Sequence, residues 1–135
     1  MRTLVIAIGN PLRRDDGAAH QVVTPPDADR RSALQLTPEI AQEIAGYDSV
    51  VFLDADVSAK EVRIEPVDSL PTASALTHVA KPSEIVALAR ALFGFTGRAY
   101  TCHIPVSDLS EGEGLSPHTD ELAQQASRAV ASLRP

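Results

Sequence analysis

The sequence predicts an α/β protein: a three-layer α/β/α sandwich in which a mainly parallel, twisted sheet of about five strands has helices on both faces. Segments typical of strands alternate along the 135 residues with segments typical of helices, which favours parallel strands joined by helical crossovers. The clearest strand candidates, "TLVIAI" at 3–8 and "SVVFL" at 49–53, are continuously apolar, as strands covered on both faces are. The length fits one domain, over residues 1–135.

Five segments are predicted as strands, and one of them differs in pattern from the rest. The stretch "EVRIEPV" at 61–67 alternates between polar and apolar residues, which indicates a half-exposed strand at a sheet edge. The polar stretch "DADRR" at 27–31 is predicted to be a solvated loop. The predicted strands are 3–8, 33–36, 49–53, 61–67 and 98–105.

Capping residues and prolines set the bounds of four predicted helices. Thr37 and Ser116 each stand directly before a proline, which predicts them as N-caps with proline at the first helical position. The first helix is predicted to stop at "TPP", because proline cannot continue it. The predicted helices are 17–23, 37–48, 82–94 and 115–133.

Composition excludes several classes of function. The net charge of −6 disfavours general nucleic-acid binding. The single cysteine, Cys102, leaves no internal disulfide, which suits the reducing cytoplasm. No stretch approaches the roughly 20 apolar residues of a membrane span, and the short apolar run near the start is typical of a buried strand rather than a signal peptide. We therefore expect a cytoplasmic protein that binds neither nucleic acid nor membrane.

Carboxylates follow two of the predicted strands. Asp15 and Asp16 lie in the loop after the first strand, and Asp54 closes the third. Because the carboxyl ends of parallel strands meet at one edge of a sheet, we expect Asp16 and Asp54 to lie on the same edge. The simplest alternative is that the adjacent pair caps the short helix that follows. Asp56, two residues after Asp54, replaces it if the strand ends later.

A histidine extends this set. His78 lies in a polar break before the helix at 82–94. Two aspartates and one imidazole suit zinc, nickel or iron without choosing among them. Motifs for a zinc-protease helix, a paired-cysteine site, a P-loop, a dinucleotide cradle or a serine nucleophile elbow do not occur in the sequence. Cys102 and His103 are adjacent in a strand, hence on opposite faces, and cannot work as a thiol and its base.

The chain resembles the hydrogenase maturation proteases over nearly its whole length. "VIAIGNPLRRDDGAA" is similar to the opening strand and G-N-x-L-x-x-D-[DE] loop of that family, which is its most specific signature. "VVFLDAD" is similar to an internal strand ending in Asp-Ala. "THVAKPSEIVALARALFG" resembles a segment in which a histidine precedes a helix, and "EGEGLSPHTDEL" resembles the closing G-x-G-L-S segment and final helix.

The resemblance implies an endopeptidase that trims the C-terminus of the large subunit of a nickel-iron hydrogenase. It implies that Asp16, Asp54 and His78 ligate nickel, that this nickel belongs to the precursor substrate, and that the cut follows nickel insertion. A metal-polarised carbonyl or a metal-bound water would then drive the cleavage. Asp15 and Asp56 are candidates for a general base or a supporting role, and Asn10 for fixing the loop or binding the substrate backbone.

One segment departs from the family pattern. Many members carry Asp-Gly-Gly after the second strand, whereas this chain has Thr37-Pro38-Glu39. Glycines there allow a peptide backbone to approach closely, and Thr-Pro-Glu does so less easily. A non-catalytic nickel-checkpoint protein of hydrogenase assembly is therefore a second hypothesis. A third is an unrelated α/β domain whose acids are only caps, with the three side chains far apart.

Overall fold

A five-stranded sheet forms the middle layer of the molecule, in the computed structural model that describes residues 2–67, 81–110 and 112–133. The spatial order of its strands is β2-β1-β3-β5-β4. All neighbouring strands are parallel except β4, which runs antiparallel to β5 at the edge. The strands are β1 (Thr3–Ile8), β2 (Asp29–Ala33), β3 (Ser49–Asp56), β4 (Arg63–Pro66) and β5 (Arg98–Pro105).

Four helices in the described part of the chain cover both faces of the sheet. Side chains of α2 and α3 pack on one face with Leu4, Ile6 and Phe52. Side chains of α1 and α4 pack on the other face with Val5 and Leu53. The helices are α1 (Ala18–Gln21), α2 (Glu39–Ile44), α3 (Pro82–Leu92) and α4 (Pro117–Ala131).

This architecture is the predicted three-layer α/β/α sandwich. Successive side chains of a strand point to opposite faces of the sheet, so alternate residues of β1 contact the helices on each side. Every residue from Leu4 to Ala7 is buried, as a strand between two helical layers requires. The edge position of β4 is also as predicted. Among the described residues, no helix is both long and apolar enough to cross a membrane.

The second strand was predicted at the wrong place. It covers Asp29–Ala33 and therefore includes most of the segment predicted as a loop, whereas 33–36 was predicted to be the strand. Four of its five residues are exposed, so it carries no apolar pattern. Its conformation comes from main-chain pairing with β1, in which Leu4 lies opposite Asp29.

All four described helices are shorter than predicted, and α3 ends at Leu92 rather than at residue 94. The first helix ends at Gln21 and is preceded by a 3₁₀ turn, Arg14–Gly17. The second begins at Glu39, with Pro38 rather than Thr37 at its N-cap and no capping side-chain hydrogen bond. The fourth has Ser116 at its N-cap as predicted, but that hydroxyl makes no capping bond to the helix backbone.

Candidate functional site

The carboxyl end of β3 carries two of the predicted acids. The strand continues to Asp56, two residues beyond the predicted end at Asp54. In the sheet register Asp54 lies beside Ile8 of β1 and His103 of β5. Residues two apart on a strand share a face, so Asp54 and Asp56 project to the same side as buried Phe52. The central position of β3 therefore brings both acids to the middle of the sheet edge.

Asp16 reaches this edge from the loop after β1. It lies in the 3₁₀ turn, partly buried, and its Oδ2 accepts a hydrogen bond of 2.7 Å from the backbone N–H of Asn10. The Asn10 side chain holds the same loop, because its Oδ1 accepts from the N–H of Leu12 at 3.0 Å. The loop also needs Gly9, whose φ is 140° and where a Cβ would collide with the backbone carbonyl of Asp16.

Asp15 points away from its neighbour and is fully buried. Its Oδ2 accepts hydrogen bonds from the backbone N–H of Asp108 at 2.8 Å and of Ser107 at 3.1 Å. Thr119 Oγ1 donates to the same oxygen at 2.8 Å, and the N–H of Ser116 donates to Oδ1 at 2.8 Å. The side chain thus ties the loop after β1 to the segment between β5 and α4.

The capping interpretation of the Asp15–Asp16 pair is wrong. The N-caps of the 3₁₀ turn and of α1 are Arg13 and Gly17, and neither end has a side-chain capping bond. Both aspartates lie inside the 3₁₀ turn instead. Asp15 joins two loops through its hydrogen bonds, and Asp16 accepts a hydrogen bond from the N–H of Asn10 in its own loop.

The carboxyl group of Asp54 has a perturbed pKa. Burial, and next the negative charge of Asp56, raise the pKa of Asp54 to about 6, and the charge of Asp16 adds to this while His103 opposes it. A carboxyl group with a pKa near neutral and a second acid beside it is typical of a site that binds a cation or transfers a proton.

Asp56 and His103 form a pair that the sequence analysis did not predict. His103 Nδ1 lies 3.1 Å from Asp56 Oδ2, and His103 Nε2 lies 3.4 Å from Oε2 of Glu65 on β4. The two residues of the pair are 47 positions apart in the sequence, and only the register of β3 against β5 joins them. One signal in the sequence could have indicated the orientation of His103. The apolar residues Cys102 and Ile104 flank it on β5, so the imidazole lies on the opposite face of the sheet.

The structure therefore brings together Asp54, Asp56 and His103, and Asp16 lies in the 3₁₀ turn that follows β1. Asn10 supports the loop of Asp16, and Asp15 lies in a separate hydrogen-bonded cluster. His78 lies outside the described residues, so its place in the site stays a prediction. Within the described ranges, the side chains that could jointly hold a metal ion are those of Asp54, Asp56 and His103.

Comparison with solved structures shows which proteins share this fold. The chain matches the hydrogenase maturating endopeptidase HybD from E. coli with a TM-score of 0.75 and 21% identity, over 99% of this chain and 93% of that one. It matches the [NiFe] hydrogenase maturation protease HycI from Thermococcus kodakarensis KOD1 with a TM-score of 0.73 and 19% identity, over 97% and 90% of the two chains. An uncharacterized protein from Wolinella succinogenes matches with a TM-score of 0.63 and 25% identity, over 98% and 95%.

The chain thus has the fold of structures described as hydrogenase maturation proteases, and the resemblance stated from the sequence is confirmed as a likeness of fold. No protein-family model matches the chain. No curated protein matches it either.

Proposed function

We propose that this protein is an endopeptidase that removes the C-terminal extension of the large-subunit precursor of a nickel-iron hydrogenase. The observation that carries the proposal is the fold match, over 99% of the chain, to a structure described as a hydrogenase maturating endopeptidase. That coverage includes both the loop that holds Asp16 and the strand that holds Asp54. The partner is a precursor protein, and the cytoplasmic location stays a prediction from the single cysteine.

The proposed site recognises nickel that the precursor already carries. Asp16 and Asp54 supply carboxylate oxygens at one sheet edge, and His78 would supply an imidazole, a mixed set that suits nickel. The precursor's nickel would polarise the scissile carbonyl or activate a water molecule. Cleavage would then be restricted to precursors that have been loaded.

The raised pKa of Asp54 fits this role. While no cation is present, burial and the neighbouring acids make its ionised form less favourable than in an exposed aspartate. A divalent cation reverses that balance, because its charge stabilises the ionised carboxylate. The Asp54 carboxylate is therefore arranged to respond to a nearby cation.

The start of α2 favours a second candidate, a non-catalytic protein that only binds the loaded precursor. Thr37-Pro38-Glu39 leads directly into α2, and a glycine pair does not occur there. This segment lacks the backbone freedom that helps a peptide approach closely. The two candidates differ in one measurable product, the released C-terminal peptide.

The test is cleavage of a nickel-loaded precursor by the wild-type protein and by Asp16→Ala, Asp54→Ala and His78→Ala. We expect wild type to release the C-terminal peptide and each variant to lose at least about tenfold in rate, because each removes a metal contact. Asp120→Ala and His118→Ala, both at exposed positions on α4, are matched controls that should cut normally. Full activity in Asp16→Ala and His78→Ala would refute the proposal, and precursor binding without a cut would favour the second candidate.

A further inference from the structure

We propose that the free protein holds a divalent transition-metal ion of its own between Asp54, Asp56 and His103. One ligand atom from each of these side chains lies within 4.8 Å of the other two. Bonds of about 2.0–2.2 Å to a shared ion bring ligand atoms to roughly 4 Å or less of one another. A small adjustment of the side chains therefore completes a three-ligand set.

The carboxylate of Asp56 is already oriented for this task. Its Oδ1 accepts hydrogen bonds from the backbone N–H of Ser58 at 2.9 Å and from the Ser58 hydroxyl at 2.6 Å. Its Oδ2 faces His103. Hydrogen bonds to one oxygen of a ligating carboxylate fix the direction of the other, as supporting residues around metal sites do.

The imidazole of His103 is oriented from its far side. Its Nε2 lies 3.4 Å from Glu65 Oε2, and Glu65 is itself held by Arg63 at 2.8 Å. A histidine that ligates a metal usually donates its other N–H to a carboxylate, which fixes the tautomer and presents the remaining nitrogen to the ion. Glu65 lies on the Nε2 side of the ring, and Nδ1, which is 3.1 Å from Asp56 Oδ2, faces the proposed ion. This arrangement is an observation separate from the clustering of the acids.

Access and ligand type define which ions fit. A cleft of about 330 Å³ opens beside Asp56, with Ser58, Lys60, Glu61 and Arg63 in its lining. Two carboxylate oxygens and one imidazole nitrogen suit zinc, nickel, cobalt or iron(II) better than the all-oxygen sites of calcium and magnesium. All three ligand residues are partly exposed, so water can fill the remaining coordination positions.

The first test is calorimetric titration of the chelator-treated full chain with Zn²⁺. We expect one Zn²⁺ per chain in the wild type and at least about tenfold weaker binding in Asp56→Asn and in His103→Gln. His78→Gln, Asp16→Asn and His118→Gln should bind as the wild type does. No binding by the wild type, or unchanged binding in His103→Gln, would overturn the proposal. So would a loss in His78→Gln that exceeds the loss in His103→Gln.

A second test needs no variant to fold well. Substoichiometric Ni²⁺ is added to the wild-type protein, and the imidazole signals are followed by NMR, with the exposed His118 as internal reference. We expect the paramagnetic ion to broaden the His103 signals first. Broadening of His20, His78 or His118 before His103 would contradict the assignment.

The outcome is separable from that of the proposed function. Both tests read metal binding by the free chain, whereas the proposed function is read as peptide release from a precursor. A protein that cuts but binds no Zn²⁺ would refute only the present inference. A protein that binds Zn²⁺ through His103 but never cuts would refute only the proposed endopeptidase.

Discussion

At the scale of single residues, the two adjacent aspartates of the first loop do different work. Asp15 is fully buried and accepts hydrogen bonds from two segments that are more than 90 positions away in the sequence. Asp16 is partly exposed and accepts one, from the N–H of Asn10. The difference predicts that substitution of Asp15 affects stability and that substitution of Asp16 affects function.

Asp15→Asn should lower the free energy of unfolding by about 3 kcal/mol. The amide keeps the shape but loses the charge, and its NH₂ group faces donors that then lack an acceptor. Urea unfolding at pH 7 measures the change. Asp120→Asn, at an exposed position, is the control and should change stability by less than about 0.5 kcal/mol. A loss of similar size in both variants would show that the buried hydrogen bonds contribute little.

The stability that Asp15 contributes should depend on pH in the acid range. Burial opposes its ionisation, but the hydrogen bonds from Asp108, Ser116 and Thr119 outweigh burial and hold its pKa well below the ordinary value of 3.8. A depressed pKa stabilises the folded state above the unfolded-state pKa, and that contribution is lost as the pH falls further. The gap between wild type and Asp15→Asn should be constant above pH 5 and should narrow towards pH 2, as followed by urea unfolding across that range.

Asp54→Asn should have the opposite effect on stability. The pKa of Asp54 is raised from 3.8 to about 6 by burial and by Asp56, so its ionised form at pH 7 costs the folded state free energy. Removing the charge should stabilise the chelator-treated protein by about 1–3 kcal/mol at pH 7. The gain should shrink as the pH falls below 6 and vanish below about pH 3, where both the folded and the unfolded states are protonated. Thermal unfolding at the two pH values measures it, and destabilisation at pH 7 would contradict the account.

At the scale of elements, the loop between β1 and α1 positions Asp16 by backbone geometry. Gly9 has a φ of 140°, and the backbone carbonyl of Asp16 lies where its Cβ would be. Two backbone hydrogen bonds also tie the loop to Gly112. The N–H of Arg14 donates to the carbonyl of Gly112, and the N–H of Gly112 donates to the carbonyl of Leu12. The position of the Asp16 carboxylate therefore depends on the whole loop.

Gly9→Ala should impair both stability and peptide release. The new methyl group displaces the Asp16 backbone, and we expect a loss of about 2 kcal/mol or more from the strained backbone and the collision together. Gly94→Ala is the matched control, because Gly94 has a φ of 71° with no atom within 4 Å of the added Cβ. It should lose about 1 kcal/mol and keep its cleavage rate. Equal cleavage rates in the two variants would remove the role given to the loop.

The sequence predicts elements well where burial determines them. The bounds of β1 are as predicted, because a strand between two helical layers gives a continuous apolar run. The bounds of β5 are also as predicted, although Arg98 is exposed and Tyr100 and His103 are only partly buried. The strand Asp29–Ala33 was not predicted, because its side chains are exposed and its conformation depends on pairing with β1. The pattern of apolar residues in a sequence indicates which segments are buried. It does not indicate which exposed segment pairs through its main chain with the edge of a sheet.

The site was predictable only in part for a related reason. The rule that the carboxyl ends of parallel strands meet at one edge predicts that Asp16 and Asp54 lie at the same end of the sheet. The pairing of Asp56 with His103 depends on the register between β3 and β5, which places Asp54 beside His103. Strand register across parallel neighbours is set by tertiary packing, and local periodicity does not reveal it.

At the scale of the whole molecule, two apolar clusters lie on opposite faces of one sheet. Leu4 and Ile6 belong to one cluster, and Val5 and Ala7 belong to the other. Since alternate residues of β1 serve both clusters, loss of the strand disrupts both. A strand shared by both clusters is what we expect of a single domain, which is the prediction made for residues 1–135.

Unfolding should therefore be a single cooperative transition. Far-UV circular dichroism reports the helices, and tyrosine fluorescence reports Tyr47 and Tyr100, which lie in different parts of the chain. We expect the two signals to give coincident urea midpoints. Separate midpoints would indicate that the two clusters unfold independently.

The central claim is that the protein cuts a precursor in response to nickel that the precursor carries. The most direct measurement is mass spectrometry of a hydrogenase large-subunit precursor after incubation with the wild-type protein, in nickel-loaded and nickel-free forms. We predict loss of a C-terminal peptide from the loaded form, an intact nickel-free form, and no cut of either form by Asp16→Ala. An intact loaded precursor, or equal cutting of the two forms, would contradict the claim.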